Sequence, residues 1–368
     1  MAKVHAILFL GGIGGSPVAE MVAGCHRAIA QDTIERAQQA GIFDGVILVT
    51  NGGQPDPSVV VEPSGRPFHF GKRLKEIIDK YDIETPFYIG GGSIPLLSSD
   101  ELRALGQQLS SSKDTVITNN PFSADLVAFT PGKAIGAIKL PATDNPLVQL
   151  LVRQANLSEI SLPHTACYQF DVDTPTDLLI LKLHPGIGRH TRAYLEGLHL
   201  DTSHLEQAVR LFTNGDAQVL VAGRVGSHVW SQLERETSCR VRMLSEERSL
   251  HADERDQRGE VCTILGFYME QVGAERFFET LAQLGHAAFI DTRVLFTHFG
   301  LNLSLADRFY SDLGQYDKID NPLAREFTQK ALEAPIPIIL GGHSLVSGGL
   351  LALIEVARLG QSGKKQGC

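Results

Sequence analysis

Apolar runs alternate with amphipathic segments along most of the chain, and this pattern predicts an α/β protein. Residues 6–10 are continuously apolar, which is typical of a parallel strand buried on both faces. The first half predicts strands at residues 6–10, 45–50, 86–90, 115–118 and 126–129 and helices at 27–40, 70–81, from 99 onward and at 145–155. Because strands and helices alternate, ligands are expected at the carboxyl ends of the strands.

Residues 184–188, His-Pro-Gly-Ile-Gly, interrupt this pattern and predict a domain boundary. The alternation then resumes, with predicted strands at 218–222, 240–244, 287–291 and 335–340. Helices are predicted at 203–212, 274–284, 322–333 and 345–358, and another follows the turn at 223–228 and ends at 236. The charged residues 246–260 are expected to form a solvated loop or frayed helix. The predicted organisation is a mixed-sheet domain over residues 1–188, a smaller α/β domain over 189–360 and a flexible tail over 361–368.

The segment Phe170-Asp-Val-Asp-Thr-Pro-Thr-Asp-Leu178 carries the clearest chemistry. Asp171 and Asp173 are one residue apart, so in an extended strand they would face the same side and could meet one cation. Thr174 is a plausible helix N-cap, with proline at the first helical position and Asp177 three residues after the cap. The pattern predicts a strand that delivers two carboxylates to a helix N-terminus. A well-capped helix with solvated acids explains it equally well.

Two glycine-rich turns follow predicted strands. Gly11-Gly12-Ile13-Gly14-Gly15-Ser16 comes directly after the first strand, and Gly91-Gly92-Ser93 follows the strand at 86–90. Glycines there allow backbone N–H groups to approach a ligand and bind an anion. Many strand-to-helix turns need glycine for geometry alone, so a purely structural role of these glycines is the alternative interpretation.

These three segments resemble motifs of MobA-like and CofC-like nucleotidyltransferases. The turn at residues 11–16 is similar to the loop that wraps base and phosphates in that family. Residues 92–97 are similar to the family motif G-D-x-P-L-L. Residues 170–178 are similar to the closing motif D-x-D-T-P-x-D-L. The resemblance covers almost all of residues 5–183. It implies a nucleotidyltransferase-like (GT-A/Rossmann-like) fold, Mg²⁺ held by Asp171 and Asp173, and nucleotide binding by Gly11, Gly12, Gly14, Gly15, Ser16, Gly91, Gly92 and Ser93.

The chain departs from the family at positions that carry charge. Ser93 occupies the position of the first metal-binding Asp, and a hydroxyl is a far weaker ligand than a carboxylate. Ser16 stands where the family has an Arg, and Arg27 is the nearest following base. Asp125 could supply the missing acid, although a structural role at a strand end is the simpler interpretation.

Other residues of the first half could contact phosphate or base. Residues Arg66-Pro-Phe-His-Phe-Gly-Lys-Arg73 gather three cations and an imidazole at the start of a predicted helix, and Lys72 and Arg73 are the candidate phosphate ligands, against a solvated helix start. Asn119-Asn120-Pro121 could read a base or sugar, although turn chemistry explains it more simply.

In the second half, polar residues follow three predicted strands that share one sheet edge. They are Arg224, His228, Asp291, Arg293, His343 and Ser344. Each pair alone is explained by structure, but together they predict a second site for an anionic group. A serine-hydrolase elbow at Ser344 is rejected as the leading interpretation, because Val346 replaces the second glycine and neither Asp nor His follows.

Composition narrows the functional classes. The formal net charge of −9 over 368 residues argues against general nucleic-acid binding, and no apolar run approaches the ~20 residues of a membrane span. Five scattered cysteines without a CxxC pair suit a reducing cytoplasm. A cytoplasmic protein with small-molecule partners is expected.

The function that these features predict is Mg²⁺-dependent transfer of NMP from an NTP to a small phosphorylated acceptor, with release of pyrophosphate. The alternative is a catalytically lapsed or repurposed protein that binds a nucleotide or sugar nucleotide and acts through its C-terminal domain. A glycosyltransferase of related fold is less consistent with the chain, because Gly91-Gly92-Ser93 offers no acidic pair after the middle strand.

Overall fold

The computed structural model describes residues 3–12, 14–52, 59–123, 125–247, 255 and 258–365, with side chains up to residue 360. Residue contacts group the chain into two units. Unit 1 contains Met1–Ile13, Ala23–Asp171 and Gly188–Tyr194, and unit 2 contains Gly14–Val22, Val172–Ile187 and Leu195–Cys368. The predicted boundary at residue 188 stays a prediction.

Unit 1 is built on a seven-stranded mixed sheet in the order β3-β2-β1-β4-β6-β5-β7. Strand β6 runs antiparallel to both of its neighbours, and the remaining pairs are parallel. The strands are β1 (Val4–Phe9), β2 (Phe43–Val49), β3 (Val60–Glu62), β4 (Thr85–Gly90), β5 (Thr115–Thr118), β6 (Leu126–Thr130) and β7 (Ser158–Ser161). The helices are α1 (Pro17–Ala40), whose first six residues belong to unit 2, α2 (Phe70–Lys80), α3 (Ser99–Ser110), α4 (Leu147–Ala155) and α5 (Ala166–Gln169).

The apolar run of β1 is explained by burial on both faces of this sheet. Ala6 and Leu8 belong to one hydrophobic cluster, and Ile7 and Phe9 belong to another. Because successive side chains of a strand point to opposite faces, each face receives two of them. The continuous apolar pattern therefore marks a central strand, as predicted.

Unit 2 contains a four-stranded parallel sheet in the order β11-β10-β8-β9. Its strands are β8 (Gln218–Gly223), β9 (Arg240–Ser245), β10 (Ala287–Asp291) and β11 (Ile338–Gly341). Its helices are α6 (Pro175–Leu183), the end of α7 (Arg189–Glu196), α8 (Ser203–Arg210), α9 (Ser227–Glu236), α10 (Ile264–Leu284), α11 (Thr292–His298), α12 (Leu305–Asp312), α13 (Pro322–Leu332) and α14 (Leu350–Lys365). Phe277, Phe278 and Phe327 pack with strand residues in its core.

The predicted fold class is confirmed: the chain is α/β, with a seven-stranded mixed sheet and a second, four-stranded parallel sheet that is packed with helices. Two helices begin earlier than predicted. Helix α1 begins at Pro17, because the Ser16 hydroxyl accepts a hydrogen bond from the Ala19 N–H and caps it. Helix α10 begins at Ile264 and contains Gly273 at a φ of 76°, which interrupts the helical geometry nine residues later.

Within the described part of the chain, no helix combines the length and the apolar character needed to cross a membrane.

Candidate functional site

The carboxyl ends of β1 and β4 meet in unit 1 where the connections leave the sheet in opposite directions. The Gly91 N–H donates to the Phe9 carbonyl oxygen at 2.9 Å. A Cβ placed on Gly91 would lie 2.7 Å from Leu10 Cδ1 and 3.0 Å from the Phe9 oxygen, so glycine is required for this approach. Ligands of α/β proteins bind at such a reversal in strand order.

The turn after β4 holds a strained residue. Ile94 has a φ of 48°, which is costly for a β-branched side chain, and it is nevertheless buried. The Arg36 guanidinium donates to the Pro95 carbonyl oxygen at 2.6 Å and fixes the segment from helix α1. Backbone strain of this kind is concentrated at functional sites, where the surrounding structure maintains it.

Ser93 of this turn pairs with Asp171 through an isolated antiparallel bridge. Asn119 at the end of β5 helps to position the approach to Asp171, because its amide donates to the Tyr168 carbonyl oxygen at 3.0 Å. The Gln169 side-chain amide donates to the backbone carbonyl oxygen of Asn119 at 2.7 Å. These bonds agree with the interpretation of Asn119 as a structural residue. The bridge to Ser93 brings Asp171 beside the Gly91-Gly92-Ser93 turn.

The expectation that a strand carries Asp171 and Asp173 is wrong. Helix α5 ends at Gln169 and α6 begins at Pro175, and the segment between them pairs with the rest of unit 1 through a single bridge at Asp171 rather than a ladder. Burial still alternates along this stretch, with Phe170 and Val172 buried, Asp171 half-buried and Asp173 exposed. Asp171 belongs to unit 1 and Asp173 to unit 2.

A cavity of about 860 Å³ opens beside the ends of β1 and β2 in unit 1. Its wall includes Gly11 and Gly12, and a Cβ on either glycine would meet nothing within 4 Å. Phe68 also lines the cavity, is 53% exposed and makes an edge contact with Phe9 at 6.2 Å between ring centroids. The cavity thus offers open space beside two glycines and an exposed aromatic ring.

The cations of this cavity are Arg27 and Arg66 rather than the predicted Lys72 and Arg73. The Arg73 guanidinium donates to Glu62 at 2.7 Å and to Glu76 at 3.1 Å. Lys72 is exposed on helix α2. Arg66 and Phe68 belong to the basic stretch at residues 66–73 that the sequence identified. Only the folded structure shows that this stretch lies beside the end of β1.

The first glycine turn is divided between the units. Gly11 and Gly12 belong to unit 1, whereas Gly14, Gly15 and Ser16 belong to unit 2 and lead into helix α1. Ile13 lies outside the described residues. Gly15 has a φ of 109°, a conformation that other residues rarely adopt.

One group of three potential metal ligands occurs within the described ranges, and sequence reasoning missed it. Asp32, Glu35 and His190 bring ligand atoms within 4.8 Å of one another. The Asp32 carboxylate already accepts hydrogen bonds from the His190 and Thr191 N–H groups at 2.9 Å, and Glu35 pairs with His190 and Arg189. These contacts tie α7 to α1. Asp171 and Asp173 are not part of this group.

The predicted second-site residues all belong to unit 2. Asp291, Arg293, His343 and Ser344 lie at the ends of β10 and β11, Arg224 follows β8, and His228 is in the first turn of α9. Arg224 pairs with Asp291, Arg293 with Asp312, and the Ser344 hydroxyl donates to Asp177. The three-strand edge is therefore occupied by a network of buried polar contacts.

Comparison with known proteins finds no matching family model and no matching curated protein. Solved structures do match. A cytidylyltransferase from Leptospira borgpetersenii serovar Hardjo-bovis is 17% identical, with a TM-score of 0.38, over 53% of this chain and 92% of that one. A 4-diphosphocytidyl-2C-methyl-D-erythritol synthase is 13% identical, with a TM-score of 0.35, over 50% and 99%. A CMP:2-keto-3-deoxy-manno-octonic acid synthetase complexed with CTP is 14% identical, with a TM-score of 0.31, over 49% and 97%.

Proposed function

We propose that unit 1 is a nucleotidyltransferase domain that transfers NMP from an NTP to a small phosphorylated acceptor and releases pyrophosphate. The observation that carries the proposal is the meeting of three segments that the sequence singled out. Gly91 contacts the end of β1 just before Gly11, and Ser93 pairs with Asp171. These contacts support a site at the β1–β4 edge of the sheet.

The cavity beside this edge has the chemistry that a nucleotide needs. The exposed Phe68 ring can stack on a base, because aromatic faces bind bases by offset stacking. Arg27 and Arg66 can neutralise phosphate oxygens. The open backbone at Gly11 and Gly12 allows N–H groups to approach the phosphates.

The expected Mg²⁺ fits the oxygen donors at this edge. The carboxylate of Asp171 would hold it, with the Ser93 hydroxyl as a weaker donor from the turn that pairs with Asp171. When bound, Mg²⁺ would neutralise charge on the triphosphate. The protein's own contribution is to orient the phosphates with Arg27 and Arg66 and to hold the acceptor in line with them.

A nucleotide-binding protein without transferase activity is the second candidate. Ser93 favours it, because a buried hydroxyl stands where the resemblance expects a carboxylate. Loss of one metal-binding acid weakens the cation site while the cavity remains able to bind a nucleotide.

The two candidates differ in their dependence on metal. Melting temperatures of the full chain would be measured with ATP, CTP, GTP and UTP, each with and without Mg²⁺. Pyrophosphate release would then be followed with a panel of sugar phosphates, comparing wild type with Asp171→Asn and with Asp100→Asn, a side chain that is 87% exposed.

A Mg²⁺-dependent rise in melting temperature and pyrophosphate release that Asp171→Asn abolishes, while Asp100→Asn preserves it, would support the transferase. A metal-independent rise without release would support the binding protein. No rise with any nucleotide would contradict both.

A further inference from the structure

The unit 2 sheet has its own reversal in strand order. From β8 the chain moves to β9 on one side, and it then crosses back to β10 and β11 on the other. All four strands are parallel, so their carboxyl ends share one edge. The gap between β8 and β10 is the position where open parallel sheets bind ligands.

Two ion pairs occupy this edge. Arg224 donates from Nε to Asp291 Oδ2 at 2.6 Å and from Nη2 to Oδ1 at 3.1 Å. Arg293 donates from its two Nη atoms to Asp312 at 2.9 and 2.5 Å. Both carboxylate side chains are fully buried. Each acid is therefore neutralised by one bidentate arginine.

Arg308 adds a cation that these acids do not pair with. It lies one turn before Asp312 on α12, and its buried Nε has no hydrogen-bond partner in the described part of the chain. Burial, followed by the positive charge of Arg293, lowers the pKa of Arg308, and Asp312 offsets this only in part. Arg293 is already compensated by Asp312, so the half-buried guanidinium of Arg308 carries a positive charge that an added anion would offset.

The backbone after β11 lies close to the same guanidinium. A Cβ on Gly342 would be 2.9 Å from Thr174 Cγ2 and 3.9 Å from Arg293 Nη2, so glycine allows the peptide to approach Arg293. A π-helical turn follows at Leu345–Gly349. Such turns are rare and are often found at functional sites.

We propose that unit 2 binds a phosphate group at this sheet edge, with Arg308 and Arg293 as its ligands. A guanidinium presents paired N–H donors that match phosphate oxygens. The buried Nε of Arg308 is a donor without a partner in the described part of the chain, and the phosphate would supply the negative charge that this guanidinium lacks. The site does not depend on the nucleotide proposed for unit 1.

Thermal melting of the full chain tests this site, with inorganic phosphate and glycerol 3-phosphate as probes. The variants are Arg308→Gln, Arg308→Lys and Arg210→Gln, a matched change at a side chain that is 76% exposed. A larger shift with glycerol 3-phosphate would assign the group to a phosphomonoester, and a larger shift with inorganic phosphate would assign it to the free anion.

We expect either probe to raise the melting temperature of wild type and Arg210→Gln, and Arg308→Gln to lose most of that rise. Arg308→Lys, which keeps the charge without the planar fork, should retain part of it. Without a probe, Arg308→Gln should melt no lower than wild type, because it removes an unpaired cation. A full shift in Arg308→Gln, or a lower melting temperature of that variant without a probe, would overturn the proposal.

Discussion

The Ser344 hydroxyl lies 2.8 Å from Oδ1 and 2.7 Å from Oδ2 of Asp177, a residue 167 positions earlier in the chain. Asp177 also accepts hydrogen bonds from the Thr174 N–H and hydroxyl, which completes the capping box of α6. Burial, together with the nearby Asp173 carboxylate, raises the pKa of Asp177 to about 7, although the bonds from Ser344 and Thr174 lower it. A helix cap is thus also a titrating group in the core of unit 2.

The raised pKa predicts that Asp177 contributes less stability as pH increases. The folded state keeps its proton up to about pH 7, whereas the unfolded chain loses it near 3.8. The free energy of unfolding should therefore fall between these values, by at most about 1.4 kcal/mol per pH unit from this group. Asp177→Asn should lack this slope in urea denaturation at pH 4.5 to 7.5. Equal slopes in both proteins would contradict the assignment.

Removal of the Ser344 hydroxyl should shift the same titration upward. Ser344→Ala deletes a donor that favours the ionised carboxylate, so the pKa of Asp177 should increase further. The stability loss should then continue above pH 7. Ser347→Ala, whose hydroxyl bonds backbone carbonyl oxygens instead, is the matched control and should leave the slope unchanged.

In unit 1, Glu62 should show the opposite pH dependence. Burial opposes its ionisation, but hydrogen bonds from Lys80, Tyr81 and Arg73 lower the pKa of Glu62 to about 2. Its stabilising contribution should be complete above pH 4.5 and disappear as pH falls toward 2. Glu62→Gln should cost about 2–4 kcal/mol at pH 7, because it leaves the half-buried Arg73 side chain with only the exposed Glu76 as its carboxylate partner.

Chemical denaturation of Glu62→Gln at pH 7 and pH 3 measures this difference, which should narrow at the lower pH. Glu76→Gln provides the comparison, since Glu76 bonds the same arginine but is 63% exposed. It should change the free energy of unfolding by no more than about 0.5 kcal/mol. A comparable loss in both variants would argue that buried charge is not the cause.

The two glycine turns should respond differently to alanine. A Cβ on Gly12 meets no atom within 4 Å, so Gly12→Ala should keep the melting temperature of wild type while it narrows the cavity and weakens nucleotide binding. Gly91→Ala would crowd Leu10 and the Phe9 carbonyl and should destabilise unit 1 by about 1–3 kcal/mol. Paired melting curves with and without CTP separate the two effects. Equal melting temperatures of the two variants would exclude the packing role of Gly91.

Sequence patterns predicted many elements of this fold because local burial determines them, but they missed β3, β7, α11 and α12. The apolar run of β1 and the cap at Thr174 each depend on nearby residues, and both were read correctly. The bridge between Ser93 and Asp171 joins residues 78 positions apart, and no local pattern encodes such a pairing. The strand expected at Asp171 is wrong, because α5 and α6 flank a short connection that makes only this one bridge.

The candidate sites were predictable in part. Residues at the ends of β8, β10 and β11 were identified because parallel strands share one edge. Arg308 was missed, since it lies in the middle of α12 and only tertiary packing brings it near Arg293. The sequence groups Arg66 with Lys72 and Arg73 by charge. In the structure Arg73 pairs with Glu62, whereas Arg66 lines the cavity, and only the tertiary fold shows this difference.

The assignment of residues 188–194 to unit 1 bears on how this protein can be divided or recombined. The buried Asp32 carboxylate takes N–H donors from His190 and Thr191, which come after unit 2 has already begun in the chain. A gene fragment that stops at codon 188 would lack His190 and Thr191, so the buried carboxylate of Asp32 would lose the hydrogen bonds from their N–H groups. Exchange of either unit among related genes would therefore need several coordinated crossovers.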